Sequence, residues 1–235
     1  MAVVGIIAEF NPLHTGHEYL IKQAKKQGTV VAVISGNLVQ RGETAIAEKR
    51  IRAKAALLSG VDLVLEMPVL WSMSTAENFA LYGVLALKNI GCDKIMFGSE
   101  CGDIQKLEKT ADILLSEDFS LKVSELMKSG ITFAAAREKA ALLCGADLDI
   151  LDKPNNNLAI EYIKAAKKLK LEIEFSTVAR KGADHDSKTE AEFVSASLLR
   201  EKLKIGDYGF CSKYMSKNTL ELLTSDRISD IKRLD

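Results

Sequence analysis

Few folds are open to a chain punctuated at the intervals seen here. Four apolar runs, Val3–Ala8, Thr29–Ser35, Val61–Glu66 and Asp93–Phe97, are closed in turn by Asn11-Pro12, Gly36-Asn37, Pro68 and Gly98-Ser99. Helical stretches fill the gaps: Gly16–Lys26 stopped by Gly28, Ala45–Leu58 stopped by Gly60, and Thr75–Asn89 ended by Gly91. Strand and helix alternating in this way argue for a parallel sheet with right-handed crossovers. The second run, TVVAVIS, is uninterrupted and valine-rich, as expected of a strand covered on both faces.

After Gly102 the alternation stops. Asp103–Leu115, Ser120–Ser129 and Thr132–Leu143 read as consecutive helices, a helical insertion over about residues 103–145 that caps one end of the sheet. Pro154-Asn155-Asn156-Asn157 then precedes a helix at Leu158–Leu169. The alternating stretch Leu171–Val178 reads as a fifth strand, Ala179–Glu190 as a polar loop, and Ala191–Lys204 and Lys217–Leu223 as helices. The expectation is an α/β protein: a Rossmann-like, doubly wound, parallel five-stranded sheet with C-terminal helices. Its nucleotide-binding domain would cover 1–205, insertion included, and a helical segment 206–235. A hydrophobic content of 47% supports a core of that size.

Charge sets limits on partners. The chain carries 32 basic and 32 acidic side chains, without the basic excess of a protein that wraps nucleic acid. RNA contact must therefore be a local patch, or come from sequence outside this chain. The helix bearing Lys49, Arg50 and Arg52 is expected to show these bases on an exposed side. Cys92, Cys101, Cys144 and Cys211 are scattered, with no C-x-x-C pair, as thiols in a reducing cytosol would be. No cleavable leader opens the sequence and no apolar run is long enough for a bilayer, so a soluble, cytoplasmic protein is expected, without membrane partners. Oligomeric state is not readable.

Chemistry concentrates in Gly5–His17, GIIAEFNPLHTGH. A buried strand ends at a turn, and His14-Thr15-Gly16-His17 opens the following helix. Two of the three histidines lie here. Gly16 allows a ligand close to the backbone, and the helix N-H groups favour an anion. Imidazoles there can stabilise the charge that grows on a phosphate during in-line attack. No third ligand stands at metal spacing, so no protein metal site is expected. Neither G-x-x-x-x-G-K-[ST] nor G-x-G-x-x-G occurs, which excludes phosphate binding by those loops. Two other readings stay open: Gly98 as a plain strand-ending turn, and Asn155 or Asn156 as a cap of the helix after them. Gln40-Arg41-Gly42-Glu43 is either an acceptor-binding loop or a solvated one.

A strand followed by His-x-Gly-His resembles the nucleotidylyltransferase superfamily. A second signature of that superfamily, Ser-Ser/Thr-x-x-Arg at a late helix, is matched by Ser195-Ala196-Ser197-Leu198-Leu199-Arg200, with Ala196 as a departure. Ser35–Glu43 (SGNLVQRGE), Leu57–Pro68 (LLSGVDLVLEMP), Gly98-Ser99-Glu100 and Pro154–Leu158 (PNNNL) narrow the likeness. With Gly5–His17 they resemble the tRNA(Met) cytidine acetate ligase family over nearly the whole chain. The resemblance implies ATP and acetate as substrates, with Mg²⁺, and acetyl-adenylate as intermediate. The acetyl acceptor it implies is N4 of the wobble cytidine in the anticodon loop of elongator tRNA(Met). It places His14 and His17 as catalytic. It assigns ATP to Ile7, Ala8, Glu9, Phe10, Asn11, Pro12, Leu13, Thr15, Gly16, Leu20, Gly98, Asn155 or Asn156, Arg180, Ser195, Ser197 and Arg200. Family members have an aromatic residue where this chain has Asp184, before His185-Asp186. They also continue beyond the point matching Asp235, so this chain resembles a shortened member. The alternatives are a small-molecule adenylyltransferase for a phosphorylated coenzyme precursor, and a nucleotide- or tRNA-binding module without catalysis.

Overall fold

The computed structural model describes residues 2–179 and 194–224. Five strands, Ala2–Ala8 (β1), Gly28–Ser35 (β2), Leu63–Met67 (β3), Lys94–Ser99 (β4) and Glu174–Ala179 (β5), form one sheet of order β3-β2-β1-β4-β5. Every pairing is parallel. The expected α/β, doubly wound, five-stranded architecture is what the chain adopts. The strand order reverses between β1 and β4, and in open sheets of this kind ligands bind outside the carboxyl ends at that reversal.

The helices are Thr15–Lys25 (α1), Lys49–Leu58 (α2), Val69–Ser72 (α3), Ala76–Asn89 (α4), Ile104–Leu115 (α5), Glu117–Lys128 (α6), Phe133–Leu143 (α7), Leu148–Leu151 (α8), Pro154–Lys168 (α9), Ala196–Lys204 (α10), Tyr208–Cys211 (α11) and Lys217–Thr224 (α12). The period-two alternation of each strand decides which helices cover which face. Val4, Ile6, Val30, Ala32 and Ile34 pack against Leu20, Ile21 and Ala24 of α1 and Ala55 and Ala56 of α2. Ile7, Val31, Val33, Ile95 and Phe97 point the other way, into a larger core with Phe79, Val84 and Leu87 of α4, Leu107 of α5 and Tyr162 of α9. The insertion lies on this second side. A third apolar cluster joins Ile51 of α2 to Leu199 and Leu203 of α10, Cys211 of α11 and Leu223 of α12. All four cysteines are free thiols, and burial pushes Cys92 up to about 11. No helix of the described residues is long and apolar enough to cross a membrane.

Several boundaries differ from the sequence reading. The helix expected from Ala45 starts only at Lys49. Ala45 to Ala47 are buried as non-helical chain, because Asn11 Oδ1 accepts from Ile46 N-H at 2.7 Å and Asn37 Oδ1 from Lys49 N-H at 2.8 Å. Gly98 and Ser99 do not end β4; they belong to it, paired with Val178 and Ala179. The helix expected at Leu158 starts at Pro154, so the asparagines occupy its first turn and Lys153 stands at the cap position. Proline at that start is natural, since its missing N-H would have no helical partner. The helix expected from Ala191 is α10, opened by Ser195, whose Oγ accepts from Leu198 N-H.

Candidate active site

Where β1 ends, the backbone is bent hard. Phe10 holds a φ of 47°, in the left-handed region that side chains rarely adopt, and its ring is fully buried. The bend turns the chain back over the carboxyl ends of β1 and β2, where Arg52 fastens it. The Arg52 guanidinium is 1% exposed. It donates to Glu9 O at 2.6 Å, Ser35 O at 3.0 Å, Ala47 O at 3.1 Å, and to Gly36 O. It is therefore not one of the exposed bases expected on α2. Three of its acceptors, Glu9, Ser35 and Gly36, are main-chain carbonyls left over where two strands end, and the fourth, Ala47, lies in the chain before α2; one planar fork satisfies them together. Burial lowers its pKa to about 10, with Glu9 and Glu66 pulling the other way, so it stays charged at neutral pH.

Beyond the bend, His14 caps α1. Its Nδ1 accepts from Gly16 N-H at 3.0 Å, and its main-chain oxygen accepts from His17 and Glu18. An accepting Nδ1 places the proton of the neutral ring on Nε2, which makes that edge a donor. The His14 and His17 rings lie 3.9 Å apart, and the Phe10 ring meets His17 edge-on at 5.2 Å. Thr15 N-H, free of any helical acceptor at this position, donates to Tyr214 O at 2.8 Å, so the segment after α11 steadies the start of α1.

These groups open onto a cavity of about 330 Å³ at the strand-order reversal. Ile7, Ala8, Glu9, Phe10, Asn11, His14, Gly16, His17, Leu20, Gly98, Asn155, Ser195 and Arg200 line it, so most of the residues singled out from the sequence share one space. Pro12, Leu13, Thr15, Asn156 and Ser197 do not line it. Leu13 packs in the core beneath α1, and Ser197 Oγ accepts from Arg200 Nη2 at 3.3 Å. Arg180, Asp184, His185 and Asp186 lie outside the described residues.

Arg200 is fixed in place: its Nη1 donates to Asn11 O at 2.8 Å. Glu9 faces the cavity with Oε1 accepting from Gln40 N-H at 2.9 Å. Desolvation raises the Glu9 carboxyl above the usual carboxylate range, against the Gln40 N-H and the charges of Arg200 and Arg52. One half of the cavity is thus cationic and rich in donors. The other half is formed by Phe79 of α4, Phe97 of β4, and Leu158 and Tyr162 of α9. Motif reading missed this half. Leu158 and Tyr162 stand four apart on one helix, and that spacing was the only signal available.

Asn155 and Asn156 divide their roles. Asn156 is 1% exposed, and its Oδ1 accepts from Glu100 N-H at 2.9 Å and Cys101 N-H at 3.1 Å. Glu100 answers: its carboxylate accepts from Asn155 N-H at 3.2 Å, Asn155 Nδ2 at 2.5 Å and Asn156 N-H at 2.8 Å. A carboxylate on the first N-H groups of a helix also suits the helix dipole. This clamp ties the end of β4 to α9 and sets Asn155 on the wall beside Gly98. Glu100→Ala is expected to lower stability by about 1–2 kcal/mol in urea unfolding. A loss below about 0.3 kcal/mol would show the clamp to be dispensable.

Among the described residues no group of three His, Cys, Asp or Glu side chains is placed to hold a metal. What the cavity offers suits an anion: two imidazoles, a guanidinium and Ser195 at the start of α10, next to an apolar recess.

Comparison with known proteins fits this geometry. A family model described as HIGH Nucleotidyl Transferase matches residues 1–233. A tRNA(Met) cytidine acetate ligase of Caldanaerobacter subterraneus subsp. tengcongensis is 47% identical over 236 residues, covering 95% of this chain and 58% of that protein. One of the same name from Clostridium perfringens is 36% identical, covering 100% of this chain and 63% of that one. Thermotoga maritima TmcAL, crystallised with alpha-thio ATP, superposes with a TM-score of 0.84 at 32% identity, covering 95% of this chain and 55% of that one. The chain thus spans roughly three fifths of the length of these curated relatives.

Proposed function

The chain belongs to the HIGH nucleotidyl transferase family, and from that premise we propose that it activates acetate with ATP as acetyl-adenylate. In the proposed second step the acetyl group passes to N4 of the wobble cytidine in the anticodon loop of elongator tRNA(Met). The observation that carries the first step is the placement of His14, His17 and Arg200 around one cavity at the strand-order reversal. The crystallised relative at TM-score 0.84 holds an ATP analogue, which supports the same ligand here.

The chemistry follows from the residues. ATP lies with its α-phosphate at His14 and His17, its charge met by the dipole of α1, Ser195 and Arg200. The family resemblance assigns Arg180, which follows β5 in sequence, to the same nucleotide. A carboxylate oxygen of acetate attacks the α-phosphorus, the bond to the bridging oxygen breaks, and pyrophosphate leaves with that electron pair. His14, with Nδ1 occupied, presents Nε2-H to the oxygens that gain charge. Acetate is already anionic, so no protein nucleophile or base is required. Magnesium carried on the phosphate oxygens would add charge neutralisation, and Glu9 is the one carboxylate among the described lining residues. The cytidine amine then attacks the acetyl carbon, AMP departs, and the amine loses a proton. Residues 1–205 would supply the first step, and the helices from residue 206 would begin a tRNA-binding part continued in longer relatives.

Acetate-dependent ATP–pyrophosphate exchange tests the reading. Exchange is expected with acetate and not with phosphorylated coenzyme precursors. Exchange that ignores acetate and responds to such a precursor would replace the acetate reading with an ordinary adenylyltransferase.

A further inference from the structure

One polar atom in the apolar half of the cavity is unaccounted for. The Tyr162 hydroxyl is buried and has no hydrogen-bond partner among the described residues. Tyr162 itself is 2% exposed and lines the cavity. A buried hydroxyl without a partner is costly, and such groups are rare unless a ligand completes them. Burial also holds its phenol well above the usual tyrosine range, so it remains a donor at any working pH.

The surroundings narrow what that ligand is. Phe79 and Phe97 are almost fully buried, and the Phe97 and Tyr162 rings lie 5.8 Å apart. With Leu158 they leave an apolar recess served by a single donor. The cations and imidazoles stand on the α1 and α10 side. An in-line attack needs the entering oxygen on the side of the phosphorus opposite the departing pyrophosphate. If pyrophosphate leaves towards Arg200, the entering group comes from the α4 and α9 side. A small carboxylate with a short apolar tail suits such a recess: one donor for an oxygen, apolar walls for the tail. Glu9 is nearby and would repel an anion, but the Arg52 and Arg200 guanidinia both act on it, so the wall is not net negative.

Resting on the adenylation reading above, we propose that this recess is the acetate subsite. The Tyr162 hydroxyl donates to the acetate carboxylate, and Phe79, Phe97 and Leu158 enclose the methyl group. The walls then set the length of acid accepted, and Tyr162 is a specificity-determining residue.

The test is pyrophosphate exchange by the full 235-residue chain, with formate, acetate, propionate and butyrate, for the unmodified protein, Tyr162→Phe and Phe79→Leu. Tyr162→Phe keeps the ring and removes the donor. It is expected to raise the acetate KM roughly 10-fold or more, with the ATP KM changed less than about 2-fold. Its Tm should match or exceed that of the unmodified protein, because an unsatisfied buried hydroxyl is gone; a purely structural hydroxyl would give the reverse pattern. Phe79→Leu enlarges the recess and should raise the use of propionate relative to acetate. An unchanged acetate KM in Tyr162→Phe overturns the subsite alone. So does a rise in the ATP KM instead, which would put the nucleotide base in the recess. Exchange that no carboxylic acid supports in the unmodified protein overturns the adenylation reading, and the subsite with it.

Discussion

Replacing Arg52 with methionine is expected to cost about 3–5 kcal/mol of stability, measured as a fall in the urea midpoint at unchanged slope. Methionine fills much of the volume but donates nothing. The carbonyls of Glu9, Ser35 and Gly36 at the carboxyl ends of β1 and β2, and of Ala47 before α2, would then be left without their donor. Arg52→Lys should recover only part of the loss, because an ammonium cannot reproduce a planar fork. Activity should fall further than the folded fraction does, since Glu9 and the bend at Phe10 would lose their anchor. A loss below about 1 kcal/mol would mean that water reaches those carbonyls and that the guanidinium is not what holds the strand ends together.

His17→Ala should reduce acetate-dependent pyrophosphate exchange by about 10²–10³-fold while leaving ATP binding within a few-fold. This is the pattern of a donor that acts on charge appearing only in the transition state. His14→Ala should do the same and also lower stability by about 0.5–2 kcal/mol, because it removes the cap on Gly16 N-H. The double variant should fall little below the worse single one if the two rings, 3.9 Å apart, act as a unit. Full exchange activity in both single variants would make the histidines structural and sink the proposed chemistry.

The fold was legible because its strands are short apolar runs that glycine, proline and asparagine interrupt at nearly every end. The His14–His17 segment was legible for a related reason: the site is built on the first strand, helix and turn, contiguous in sequence. What was not legible depends on tertiary placement. KRIRAK, at residues 49–54, looks like a solvated basic face. Nothing in it reveals that Arg52 finds four carbonyls, three of them at the ends of two strands. Helix starts at Ala45 and Leu158 were misplaced because side chains distant in sequence, Asn11 in one case and Glu100 in the other, decide where the chain begins to coil. Tyr162 was missed because a tyrosine on a buried helix face usually signals core, and what distinguishes it is that its hydroxyl has no partner among the described residues.

The bond from Arg200 to Asn11 closes a loop of 189 residues, and the bond from Thr15 to Tyr214 closes one of similar reach. β2, β3, β4 and β5 all lie between the histidines and that guanidinium in sequence. A growing chain that has emerged only through β5 therefore carries the imidazoles and the central strands without Arg200 to complete the proposed phosphate site. The proposed nucleotide site is complete only when α10 has followed β5. Until then the opening segment waits on contacts of high sequence separation.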